Sequence, residues 1–223
     1  MLVAVDIGNT NIVLGFLDGD AIAGTYRITT KANHTSDEYG LFLTEFLRMS
    51  GFQPSDVDDV IICSVVPKVM HSFRSSIVKF LDIDPMVVGP GIKTGMNVRV
   101  DDPKSLGADI LADCAGAYYE YGGPVLVADF GTATTFNVID ENKVFRGGVI
   151  CPGLSTGLRA LGERCAQLPQ VHLSSPKSAI GVDTEKCMLS GSVLGAAVLL
   201  DGITQRIEEE LGRPVTLVVT GGL

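Results

Sequence analysis

From residue 2 the chain runs apolar up to an aspartate, breaks at Gly8, resumes over 12–17, breaks at Asp18, Gly19 and Asp20, and resumes over 22–28. Short β-rich runs between turn residues predict three strands, at 2–7, 12–17 and 22–28. The period then lengthens. Thr35 and Glu38 have capping-box spacing, and Leu41, Phe42, Phe46 and Leu47 follow on one helical side. VIICS at 60–64 returns to strand character, Pro67 suits the first turn of a helix, and MVV at 86–88 is a further strand. GPGIKTG at 89–95 reads as a loop. A helix is expected from about 105, capped by Ser105, then a strand near 125, a helix over 158–164, a loop over 175–181 and a helix over 187–200. Gly191 and Gly195 inside that last helix cost propensity, which predicts close packing there against another element or a ligand. PVTLVVTGGL ends the chain with a strand running into paired glycines, so the cover of that last strand is expected from beyond residue 223 or from another subunit.

The most informative pattern is a repeat. VAVDIGNTNIVLGF at 3–16 and LVADFGTATTFNVI at 126–139 each carry an apolar run into aspartate, one apolar residue, glycine, small polar residues and a second β-rich run. LDGD follows the first copy and IDEN the second, each suited to a turn before another strand. The copies lie 123 residues apart, the separation of two tandem halves, predicted as 1–113 and 114–223. The glycine after each aspartate lets the backbone turn and present amides to phosphate oxygens. Asn9, Thr10 and Asn11 in one turn, and Thr132, Thr134 and Thr135 in the other, add neutral donors. Asp6 and Asp129 repel phosphate, so their useful partner is a cation or its water shell. The competing reading is a pair of ordinary hairpins whose aspartates bond their own turns.

Composition narrows the function. With 46% apolar residues the chain supports real cores, and 26 acidic against 17 basic residues give a net charge of -9. With 6% aromatic residues and no basic stripe, a nucleic-acid partner is not expected. No run reaches the roughly 18 apolar residues of a membrane span, and the first residues lack a signal-peptide pattern, so no membrane partner is expected. Cys63, Cys114, Cys151, Cys165 and Cys187 are scattered without metal spacing, which predicts buried or half-buried thiols in a reducing, cytoplasmic setting. His34, His71 and His172 complete no triad. There is no Walker lysine motif, no Rossmann glycine motif and no nucleophile elbow at Ser155, so any nucleotide site rests on the two Asp-x-Gly turns. Asp109 of LGADILAD falls in a first helical turn, where the dipole favours a carboxylate. It reads either as an acceptor that orients a substrate hydroxyl or as a helix-end charge alone.

These stretches resemble the type III pantothenate kinases. DIGNTN at 6–11, GIKTG at 91–95, GAD at 107–109, DFGTATT at 129–135, GGVICPGLSTGLRAL at 147–161 and TGGL at 220–223 occur in the family's order. The resemblance implies an α/β fold of duplicated ribonuclease-H-like halves with mixed central sheets, in the actin-like ATPase superfamily, holding ATP between the halves. It implies ATP-dependent phosphorylation of the primary hydroxyl of pantothenate, the first step of coenzyme A biosynthesis, by a cytoplasmic homodimer. Asp6, Gly8, Asn9, Thr10, Asn11, Gly131, Thr132 and Thr134 would hold phosphates, and Gly221 and Gly222 the adenosine. Asp6 would help place Mg²⁺, and Asp129 a monovalent cation, K⁺ or NH₄⁺. Asp109 would be catalytic, with Gly107 and Thr184 beside it at the acceptor. Val100, Ile110, Asp183 and Leu189 stand where the family usually has tyrosine, arginine, asparagine and glutamine. Those departures predict ATP binding better retained than acceptor recognition. The alternatives are a kinase of another small hydroxylated acceptor and a non-catalytic nucleotide-binding regulator.

Overall fold

The computed structural model describes residues 1–89 and 91–222. Pro90 of the loop expected at 89–95 and Leu223 of the final TGGL lie outside the described residues. The chain divides into two compact units, one of Met1–Thr94 with Lys104–Ala112, the other of Gly95–Pro103 with the chain from Asp113 onward.

In the first unit, strands β1 (Leu2–Ile7), β2 (Asn11–Asp18), β3 (Ala21–Thr29), β4 (Asp59–Ser64) and β5 (Met86–Val87) form a sheet in the order β3-β2-β1-β4-β5. The first three are antiparallel, and β4 and β5 continue parallel to β1. Val3, Val5 and Ile7 alternate onto one face with Ile12, Leu14 and Phe16, where helices α1 (Ser36–Met49) and α2 (Pro67–Leu81) bury them with Leu43, Leu47, Phe73 and Ile77. Each such side chain stabilises the unit by about 1.5–3 kcal/mol. Thr35 and Glu38 form the expected capping box, with Thr35 N donating to Glu38 Oε2 at 2.7 Å and Glu38 N to Thr35 Oγ1 at 3.3 Å.

In the second unit, β6 (Asn97–Val98), β7 (Val125–Phe130), β8 (Ala133–Ile139), β9 (Val144–Pro152) and β10 (Thr216–Gly221) are ordered β10-β7-β8-β9-β6. The run β9-β8-β7-β10 repeats β3-β2-β1-β4 with the same sense at every pairing. The duplication legible in the sequence is thus the duplication of a ribonuclease-H-like sheet. Leu126, Ala128, Phe136 and Val138 pack against Leu199, Leu200, Ile203 and Ile207 of helix α5 (Thr184–Leu211). Helices α3 (Ala108–Tyr121) and α4 (Leu154–Arg164) complete the elements.

Four expectations are corrected. Ser105 does not cap α3: it sits in a 3-10 turn, Pro103–Ser105, and the Gly107 carbonyl accepts the first helical bond from Leu111 N at 3.1 Å. Helix α5 is longer than 187–200, because Asp183 caps its start by accepting from Lys186 N, and Gly212 ends it at φ 68°. Gly191 and Gly195 meet nothing within 4 Å on the side where a Cβ would stand, so no other element among the described residues packs closely against them. Two cysteines expected to be shielded, Cys165 and Cys187, are exposed, whereas Cys63 and Cys114 are buried. Charged positions interrupt every apolar run, yet α5 is, among the described residues, the one helix whose length and mean hydropathy would suffice to cross a membrane. One side of it is the wall of the second core.

Candidate functional site

Asp6 and Asp129 each stand one residue before the end of their strands, β1 and β7, each of which is paired on both sides within its sheet. Both lie beside a parallel neighbour: Asp6 pairs with Cys63 of β4, and Asp129 with Thr220 of β10. Both point away from the helix-packed face, since Val5 and Ile7 flank Asp6 on the core side and Ala128 and Phe130 flank Asp129. The carboxyl ends of parallel strands are where α/β sheets leave room for ligands. Asp6 is exposed and Asp129 half-buried.

The turns that follow are closed by their own backbone. Gly8 N donates to Asn11 O at 3.0 Å, and Gly131 N to Ala133 O at 3.0 Å. They differ in length. Asp6 pairs across the hairpin with Val13, but Asp129 pairs with Thr135, one residue sooner. The gapless alignment of the two copies therefore slips out of phase after the turn, and the structural equivalents of Asn11, Ile12 and Val13 are Ala133, Thr134 and Thr135. Thr134 consequently lies on the core face with Phe130 and Phe136, 1% exposed, its hydroxyl without a hydrogen-bond partner among the described residues. The structure brings Gly8, Asn9, Thr10 and Asn11 together beside Asp6, and Gly131 and Thr132 beside Asp129. It turns Thr134 to the other face.

Two glycines hold the second turn, Gly153, to which the sequence assigned no role, and Gly221, expected at the adenosine. A Cβ on Gly153, which precedes α4, would collide with the carbonyl oxygens of Gly131 and Thr132. Gly221, at φ 133°, lies against the backbone of Phe130, and Gly222 N donates to Phe130 O at 3.2 Å. Strand β10 thus reaches the Asp129 turn. Gly153 was discernible only as one small residue in a run of matched sequence.

Asp109 occupies the first turn of α3, half-buried, with Oδ1 accepting from Ile110 N at 2.8 Å. Any side chain on Gly107 would collide with that carboxylate. Thr184 is exposed at the first position of α5. Two of the four unusual positions have structural work. Asp183 caps α5, and its carboxyl is held below its ordinary value by the Lys186 ammonium and amide. Leu189 is buried with Leu158 and Met188. Val100 and Ile110 are half-buried. In the same unit as Asp129, burial would raise the Asp140 carboxyl, but the amides of Val144 and Asn142 and the Arg146 guanidinium outweigh it and hold the group low.

The sequence model of the type III pantothenate kinases matches residues 2–206. A Bifidobacterium longum protein named type III pantothenate kinase is 73% identical, with 100% of this chain covering 88% of that one. The chain belongs to the type III pantothenate kinase family. An Agathobacter rectalis protein of the same name is 45% identical, covering all of this chain and 86% of its own. Among solved structures, one described as a 2-dehydro-3-deoxygalactonokinase from Sinorhizobium meliloti aligns with TM-score 0.56 at 13% identity, over 98% of this chain and 91% of that one. Another, assigned to the Baf family of transcriptional activators from Campylobacter jejuni, aligns with TM-score 0.52 at 17% identity, over 90% and 78%. At those identities the two structures speak for the shared fold.

Proposed function

We propose that the chain transfers the γ-phosphoryl group of ATP to the primary hydroxyl of pantothenate, giving 4'-phosphopantothenate, the first step of coenzyme A biosynthesis. The observation that carries this is the pair of Asp-x-Gly turns at equivalent strand ends, in a chain matching the family over 2–206. The pantothenate oxygen bonds to Pγ, the bond from Pγ to the ADP oxygen breaks, and the hydroxyl proton passes to the Asp109 carboxylate. Asp109 orients that hydroxyl, with Gly107 leaving room for its carboxylate and Thr184 donating to the acceptor. Positioning and charge placement suffice for such a transfer.

The turn amides and side chains at Gly8, Asn9, Thr10, Asn11, Gly131 and Thr132 bind phosphate oxygens, and Gly221 and Gly222 lie along the adenosine. No cluster of three metal-ligating side chains exists among the described residues. That fits Mg²⁺ carried in by the nucleotide, since it is commonly held by one or two carboxylates, phosphates and water. Asp6 would hold it, and bound there it neutralises phosphate charge. Asp129 would hold K⁺ or NH₄⁺. The active species is a homodimer working in the cytoplasm, without nucleic-acid or membrane partners. Family membership and the acidic charge of -9 support this part.

The test is ATP-dependent phosphorylation of pantothenate by the purified protein, with and without K⁺. Product formation is expected, and Asp109→Asn lowers kcat by about 100-fold or more without changing the melting temperature. ATP consumption with another hydroxylated acceptor and none with pantothenate would reassign the substrate.

A further inference from the structure

Just past β3 in one sheet and β9 in the other, the first residue donates its amide to the neighbouring turn. In the first unit Thr30 N donates to Thr10 O at 2.9 Å. In the second, Gly153 N donates to Thr132 O at 3.2 Å. The registers Asn11 with Thr29 and Ala133 with Pro152 make Thr30 and Gly153 equivalent positions. Each turn also receives a threonine hydroxyl. Thr30 Oγ1 donates to Gly8 O at 2.6 Å, so one residue grips the 8–10 turn at both ends. Gly153 has no side chain, and a Cβ there would strike the turn carbonyls. The hydroxyl comes instead from Thr156, further along α4, whose Oγ1 donates to Thr132 O at 2.8 Å.

We propose that Thr30 and Thr156 are positioning residues that preset the two phosphate turns for the nucleotide; this rests on the phosphate-binding reading above. The peptide bonds of both turns are trans. In a planar trans peptide the N–H points opposite to the carbonyl before it. Pinning Gly8 O and Thr10 O toward Thr30 therefore turns the amides of Asn9 and Asn11 away from it. Pinning Thr132 O toward α4 does the same for the amide of Ala133. The hydroxyls also occupy carbonyl lone pairs that would otherwise be free to swing toward an anion. Donors fixed in advance spare the ordering cost on binding.

Thr30→Val and Thr156→Val keep the β-branched shape and remove the hydroxyl; Thr30→Ser and Thr156→Ser restore it. Titration of ATP-Mg²⁺ by calorimetry, without acceptor, is the first readout. Each Val variant is expected to bind about 5- to 10-fold more weakly, the effect of one lost hydrogen bond, and each Ser variant within about 2-fold of the parent. In turnover assays the KM for ATP rises by the same factor, while the KM for pantothenate stays constant, a split that mere destabilisation would not produce. Parental ATP affinity in both Val variants overturns the proposal, as does equal loss in Val and Ser variants. Absence of pantothenate phosphorylation in the parent protein overturns the substrate reading instead, and the calorimetric comparison still judges the two threonines.

Discussion

The second turn depends on one absent side chain. Gly153 has an ordinary φ of -65°, so backbone freedom does not require glycine there; space does. Gly153→Ala pushes its methyl into two backbone carbonyls that have no rotamer to escape with. It should cost about 1–3 kcal/mol of stability and weaken ATP binding, read by urea denaturation and by the KM for ATP. A parental value of both would remove Gly153 from the site. Asp140 is a second residue whose environment sets its behaviour. It is 6% exposed, accepting from Asn142 N at 2.9 Å and Val144 N at 3.0 Å, and it pairs with Arg146 at 3.3 Å. With its folded value below its unfolded one near 4, it stabilises the fold above that pH and loses the contribution as pH falls through the lower folded value. Asp140→Asn is therefore expected to lower stability by about 1 kcal/mol at pH 7, with the difference shrinking by pH 3. A constant difference across that range would show that the charge is not what matters.

At the scale of elements, ends were easier to read where a side chain makes the cap. The box at Thr35 and Glu38 is a local signal, and Thr35→Ala should cost about 1 kcal/mol in thermal or urea unfolding. Ser105 looked like the same signal and is not one, because the chain makes a 3-10 turn first and Gly107 gives its carbonyl to the helix. Asp183 was legible only as a departure from a family pattern. Asp183→Asn keeps the capping oxygen and loses only the exposed pair with Lys186, so it should lower the melting temperature less than Asp183→Ala, which loses both. The strands of the first hairpin followed the alternation closely, since one face is buried against helices, whereas Val125–Ala128 of β7 are buried on both faces and read as a continuous apolar run. Thr134 escaped a reading from the repeat because the phase after a turn depends on loop length, and a one-residue difference leaves no mark in composition. Thr30 and Thr156 escaped because each acts on a carbonyl 22 or 24 residues away.

For the whole molecule, the fold was legible because the copied strand order and the copied aspartate report the same event. The acceptor side was less so. Leu189 looked like a lost polar contact and is a core residue, a distinction that burial makes and spacing does not. Sedimentation equilibrium is expected to return twice the 23.5 kDa of the chain, and a mass of 23.5 kDa across micromolar concentrations would withdraw the dimer.

The unequal turns also bear on how the gene can change. In the first copy, core positions after the turn are Ile12, Leu14 and Phe16; in the second they are Thr134, Phe136 and Val138, each one step earlier relative to its aspartate. A recombination event that overwrote 6–13 with 129–136, residue for residue, would seat a phenylalanine where Val13 faces away from the helices and shift the inserted pattern by one. Because a strand alternates with period two, everything copied beyond the turn would present its wrong side. The two halves are free to diverge under mutation, and only a copy that carries the shorter turn whole, 129–135 in place of 6–13, would keep the alternation in phase.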